Sequence, residues 1–121
     1  MNLKVLIATR SDDVSLWQTM FQGKDFDLLI ATSLSDSSLA QEDFQTALIE
    51  EDFDGAKTGW ILAKSIRKQK ETQVRIVILT HGSNYHDYFR NEDLVGCYDW
   101  ILNMPVSADE IYHEINRGTT Q

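Results

Sequence analysis

The stretch TALIEEDFDGAKTGW, Thr46–Trp60, begins as an apolar strand, turns abruptly acidic and then enters a helix. Thr46–Glu50 shows no alternation of polar and apolar residues, the pattern of a strand buried on both faces. Four carboxylates then fall within five residues: Glu50, Glu51, Asp52 and Asp54. From Gly59 to Lys70, Leu62, Ala63 and Ile66 share one face and basic residues gather at the end, which predicts a helix. A buried strand feeding a helix is half of a parallel βαβ unit.

The same unit recurs on either side. Lys4–Thr9, Phe26–Thr32, Val74–Thr80 and Tyr98–Leu102 are further short apolar runs, read as strands. A helix is predicted from Ser11 as N-cap, with Asp12 and Asp13 in its first turn. Val14, Trp17 and Phe21 form its apolar face, and Gly23 stops it. A short helix is expected around Ser37–Phe44 and another over Ser83–Asn91. Ser107 to Glu110 is a capping box that opens a last helix carrying Ile111 and Ile115 and ending at Gly118. This alternation predicts an α/β fold. It is a doubly wound, five-stranded parallel sheet of flavodoxin-like (βα)5 type, strand order 2-1-3-4-5. One domain spans residues 1–121, with 118–121 as a polar tail. Function in such sheets gathers at the carboxyl ends of the strands.

Composition narrows the function classes. A chain of 121 residues with 42% hydrophobic content supports one core. Its net charge of −8 repels nucleic-acid backbones and anionic membranes, so neither is an expected partner. The basic group Arg67, Lys68, Lys70 and Arg75 reads as a solvated helix end and a strand start. One cysteine, Cys97, rules out an internal disulfide, and it is expected to be buried. The three histidines, His81, His86 and His113, lack metal-ligand spacing. MNLKVLIATR has no signal-peptide pattern, and no run reaches membrane-spanning length, so a reducing cytoplasm is expected. TRSDDVS after the first strand is acidic and lacks glycine, which argues against a phosphate cradle for a flavin or nucleotide. No Ser–His or Cys–His context marks a hydrolase.

Several segments carry a family likeness in the right order. They are KVLIA (4–8), GWILAKSIR (59–67), VILTH (77–81), and GCYDWIL (96–102) followed by Pro105. Together, across nearly the whole chain, they resemble the receiver domain of bacterial two-component response regulators. The resemblance implies an acidic pair after the first strand that holds Mg²⁺, and an Asp ending the third strand that accepts a phosphoryl group. It also implies a Thr or Ser ending the fourth strand and a Lys before the proline. Cations are needed because nucleophile and phosphoryl oxygens are all anionic. The resemblance further implies a cis bond before the proline.

This chain departs from that set. The acidic-pair positions are Thr9 and Arg10. The acceptor position falls on Glu50 counted along the third strand, or on Glu51 counted back from Gly59. The lysine position falls on Asn103 or on Met104, depending on whether Trp100 or Pro105 anchors the match. Only Thr80 agrees. Glu in place of Asp displaces the carboxylate by about one bond length, and misplacement of about 1 Å costs roughly a hundredfold in a positioned reaction.

The expectation is therefore a pseudo-receiver: not an enzyme, without a cofactor, signalling through protein contacts in place of aspartyl phosphorylation. The partner is a signalling protein or a second copy of the chain. The face used by receivers, made of the fourth helix, fifth strand and fifth helix, would draw on Tyr85, Tyr88, Phe89, Tyr98, Trp100 and Tyr112. Trp100 itself is expected to be packed in the core. The rival expectation is an unconventional phosphoacceptor in the Glu50–Asp54 cluster, with Mg²⁺ held by Asp12, Asp13, Glu50 and Asp52. For the cluster itself, a solvated loop and a fixed negative charge at the old phosphosite are the further readings.

Overall fold

Each apolar run is a strand in the computed structural model, which describes residues 3–35, 42–71, 73–81, 94 and 96–117. The strands are β1 (Leu3–Ala8), β2 (Phe26–Ala31), β3 (Thr46–Glu50), β4 (Arg75–Thr80) and β5 (Trp100–Asn103). They form one sheet in the order β2-β1-β3-β4-β5. Every neighbouring pair is parallel. The described helices are α1 (Val14–Met20), α2 (Thr58–Lys70) and α3 (Ala108–Arg117).

Strand periodicity divides the core in two. Leu6, Ala8, Ala47, Ile49, Ile76 and Ile78 face α2, where Trp60, Ala63 and Ile66 meet them. Val5, Ile7, Leu48, Val77 and Leu79 face the opposite way, against Trp17 and Phe21 of α1 and Ile111 and Ile115 of α3. Central β3 is buried at all five positions, as a strand covered on both faces must be. Edge strand β2 is mostly half-buried.

Helix ends follow local chemistry. The Ser107 hydroxyl accepts the Glu110 backbone N–H at 3.1 Å, which starts α3 as its capping box predicts. Farther along, Glu114 is buried and meets Arg75 at 2.5 Å, tying α3 to the start of β4. Gly23 takes φ +78 after α1, a left-handed conformation that costs glycine little.

Some expectations shift. The segment Ser11–Asp13 is a 3-10 turn, and α1 begins only at Val14. The cap position is Arg10, in extended conformation without a side-chain cap, so Ser11 does not serve as N-cap. Strand β5 starts at Trp100, not Tyr98, because the Asp99 carboxylate takes the Ile76 N–H at 2.7 Å and pairs with Arg67 at 2.8 Å. Glu42–Phe44 is not helical, and residues 37–41 of that expected helix lie outside the described residues. So do the whole Ser83–Asn91 helix and Gly118.

Gly59 fixes how α2 leaves β3. Its N–H reaches the Glu51 carbonyl at 2.8 Å. A Cβ there would come within 2.9 Å of both Cα and O of Glu51, which are backbone atoms with little freedom to yield. Gly59→Ala therefore destabilises the fold despite alanine's better helix propensity. The expected loss in chemical denaturation is about 1–3 kcal/mol, the scale of overpacking.

Candidate functional site

The carboxyl ends of β1, β3, β4 and β5 meet at one edge of the sheet. Parallel pairing sets Ala8 beside Ile49, so Thr9 and Glu50 become neighbours one step on. Likewise Glu50 pairs with Leu79, and Thr80 with Asn103. Topology thus brings together Thr9, Arg10, Glu50, Glu51, Thr80, Asn103 and Met104, the residues the sequence singled out.

Glu50 is only 4% exposed and its carboxylate is directed inward. Its Oε2 accepts the Thr9 hydroxyl and, at 3.0 Å, the Arg10 backbone N–H. The direction of the first bond is fixed by a third group. The Trp17 indole N–H, which can only donate, reaches Thr9 Oγ1 at 3.1 Å, so the hydroxyl proton is left for Glu50. A relay Trp17→Thr9→Glu50 results. Nε2 of the exposed His81 lies 3.9 Å from Glu50 Oε1.

The rest of the acidic cluster is engaged separately. Glu51 faces α2 and accepts the Trp60 indole N–H at 2.9 Å. Asp52 accepts the Lys57 N–H at 3.0 Å. Asp54 accepts the Leu34 N–H at 2.7 Å, which ties the segment after β2 to the loop after β3. Thr58 closes the turn, accepting the Asp54 N–H at 3.0 Å and donating to the Gly55 carbonyl at 2.8 Å. Phe53, 3% exposed, pins the loop to the core. These carboxylates organise their own loop, unlike a merely solvated charge run.

Asp12 and Asp13 sit in the 3-10 turn, Asp12 exposed and Asp13 half-buried. Among the described residues, no group of three or more His, Cys, Asp or Glu side chains is arranged to hold a metal ion. The alternative set Asp12, Asp13, Glu50 and Asp52 does not form such a group, although Asp13 and Glu50 line one cavity. Asp52 is turned to its own loop and Glu50 to Thr9. Thr80 is fully buried, and its carbonyl accepts the Met104 N–H at 2.7 Å. Asn103 ends β5, exposed, and Met104 is half-buried before a cis bond to Pro105.

The aromatic residues expected on one face diverge. Tyr85, Tyr88 and Phe89 lie outside the described residues. Tyr112 donates to the Met20 carbonyl and packs on Phe21 and Phe26, towards the β2 edge. Half-buried Tyr98 meets Trp60 edge-on at 5.5 Å on the α2 side. Trp100 is 44% exposed, which corrects its expected burial in the core. It stands on edge strand β5, over a groove it shares with Leu102, Asp109, Glu110 and His113. Among the described residues β5 is paired on one side only. Cys97 is likewise only half-buried.

Sequence reasoning placed Trp17 on an apolar helix face and named no polar partner for Trp17, Trp60 or His81. The available signal was position: each indole sits on the helix beside the strand end whose oxygen it binds.

No family model matches the chain, and no curated protein does. Solved structures do. A CheY-like response regulator receiver domain protein from Methanospirillum hungatei superposes with TM-score 0.81 at 14% identity, over 97% of this chain and 93% of that one. The Francisella response regulator 1452 receiver domain gives TM-score 0.78 at 22% identity, over 97% and 96%. TrrA from Thermotoga maritima, solved in complex with Mg²⁺ and BeF, gives TM-score 0.77 at 16% identity, over 96% and 98%. The fold of this chain is the receiver fold.

Two outcomes test the geometry. Thr9→Val keeps shape but removes the hydroxyl between Trp17 and Glu50. Unpairing those groups will cost about 1–3 kcal/mol in equilibrium unfolding. Burial raises the Tyr98 phenol above its ordinary value, so folding favours its neutral form. That contribution is intact below about pH 10 and lost as pH rises through the raised value. Tyr98→Phe will flatten the alkaline limb of the stability–pH curve.

Proposed function

We propose that this chain is a receiver-fold signalling module that acts through protein–protein contact and not through conventional aspartyl phosphorylation. The observation that carries this is the state of Glu50. Its Oε2 is committed to Thr9 and Arg10, inside the cleft where an acceptor would have to face a donor. Phosphoryl transfer depends on cations and positioning to offset charge repulsion. Here Thr9 and Arg10 stand where an acidic pair would hold Mg²⁺, and Asn103 or Met104 where a lysine would stand. Mg²⁺ is poorly served by this donor set: a hydroxyl and a cationic residue, Thr9 and Arg10, stand where hard carboxylate ligands would be needed.

The reading assigns the chain no catalytic step and no cofactor. It takes the chain as one receiver-like domain in a reducing cytoplasm, in keeping with its single cysteine. No helix among the described residues is long and apolar enough to cross a membrane. The contact surface it favours is the groove beside Trp100, since an exposed indole is an unusual surface residue and a frequent interface anchor. The partner is a signalling protein or a second copy of the chain.

Incubation with acetyl phosphate and Mg²⁺, followed by intact mass measurement, tests the reading. No change in mass is expected. Stoichiometric gain of one phosphoryl group overturns it in favour of an unconventional acceptor in the Glu50–Asp54 segment.

A further inference from the structure

Beside Glu50, on the side opposite the acidic loop, a cavity of about 250 Å³ opens between α1 and the ends of β3, β4 and β5. Its walls are apolar: Leu16, Trp17, Met20 and Met104. Its polar groups are Glu50, His81 and Asp13. We propose that this cavity binds a small ligand with an apolar body and one cationic amine, the amine seated on Glu50 Oε1.

Three observations converge on that ligand. The first is the free capacity of a buried carboxylate. Thr9 and Arg10 both donate to Oε2, and among the described residues no hydrogen bond reaches Oε1 of this cavity-lining residue. Among the described residues the side chain paired with it is His81, whose Nε2 lies 3.9 Å away, too far for a hydrogen bond. A buried acceptor of this kind favours a donor, and a charged donor most.

The second is the sign of the surroundings. Asp13 adds another carboxylate to the wall, and among the described residues no Lys or Arg lines the cavity. An anionic ligand would meet two negative groups in a chain of net charge −8.

The third is size and lining. Sites for drug-sized molecules run to roughly 300–1,000 Å³, so this one suits a single ring with a short amine chain. Thioethers from Met20 and Met104 adapt to a ring, and the Trp17 indole can stack on it or face the cation. Leu16, 65% exposed, forms the rim and would gain burial on binding. The groove at Trp100 shares none of this cavity's residues, so ligand binding here and protein contact there are measured separately.

Phenethylamine is the probe, titrated into the full chain while the Trp17 indole N–H is followed by NMR. 2-Phenylethanol and phenylacetate serve as neutral and anionic isosteres. Saturable binding is expected, strongest for the amine and weakest for the acid. Glu50→Gln will weaken the amine at least about tenfold, the scale of one lost charge-assisted hydrogen bond, while changing the alcohol little. Leu16→Arg, at an exposed rim position, puts a cation at the mouth and will abolish amine binding without touching the core. Should Glu50→Gln fail to fold, the Leu16→Arg result decides. Absence of saturation by the amine overturns the proposal. So does an amine no tighter than the alcohol, or amine affinity unchanged in a folded variant.

Discussion

The site edge of this molecule depends on one buried carboxylate. Glu50 ends the most deeply buried strand of the sheet, and a charge there has to be hydrogen-bonded to be tolerated. The parallel register of β1 against β3 supplies the donors, placing Thr9 and the Arg10 N–H beside it. Trp17 then orients the Thr9 hydroxyl from α1. Strand pairing, helix docking and carboxylate satisfaction are therefore one arrangement.

The acidic loop that follows solves a different problem. Its carboxylates cap and staple: Asp52 holds the turn before α2, Asp54 ties in the segment after β2, and Glu51 holds Trp60. Close approach of α2 at Gly59 makes this compact course fit. A stretch that resembles a phosphorylation loop in composition thus spends its oxygens on its own backbone and on one indole. The two glutamates part company because successive residues at a strand end point to opposite faces of the sheet.

Much of the fold was legible in the sequence. Continuous apolar runs marked all five strands, since strands covered on both faces leave little room for polar residues. The capping box marked α3, because Ser107 and Glu110 sit in the spacing their mutual bonds require. Less could be read where tertiary partners override local signals. Ser11 looked like a cap, yet the 3-10 turn moved the helix start to Val14. Tyr98 looked like strand, yet Asp99 was drawn off to Arg67. At the site, the strand ends place Thr9, Glu50 and Thr80 along one edge of the sheet. They did not reveal that Glu50 turns inward, nor that Trp17 and His81 join it, because periodicity carries no side-chain direction beyond the sheet. Trp100 was misplaced for the same reason: whether an edge-strand indole is covered depends on what packs outside it.

The inward commitment of Glu50 is tested most directly by the Arg10 backbone amide and the Trp17 indole N–H, which report on the two donors at either end of its hydrogen-bonded relay. Both resonances should stay in place through millimolar additions of Mg²⁺ and beryllofluoride. A saturable shift of both, with Glu50 or Glu51 coordinating the added fluoride complex, would contradict the arrangement.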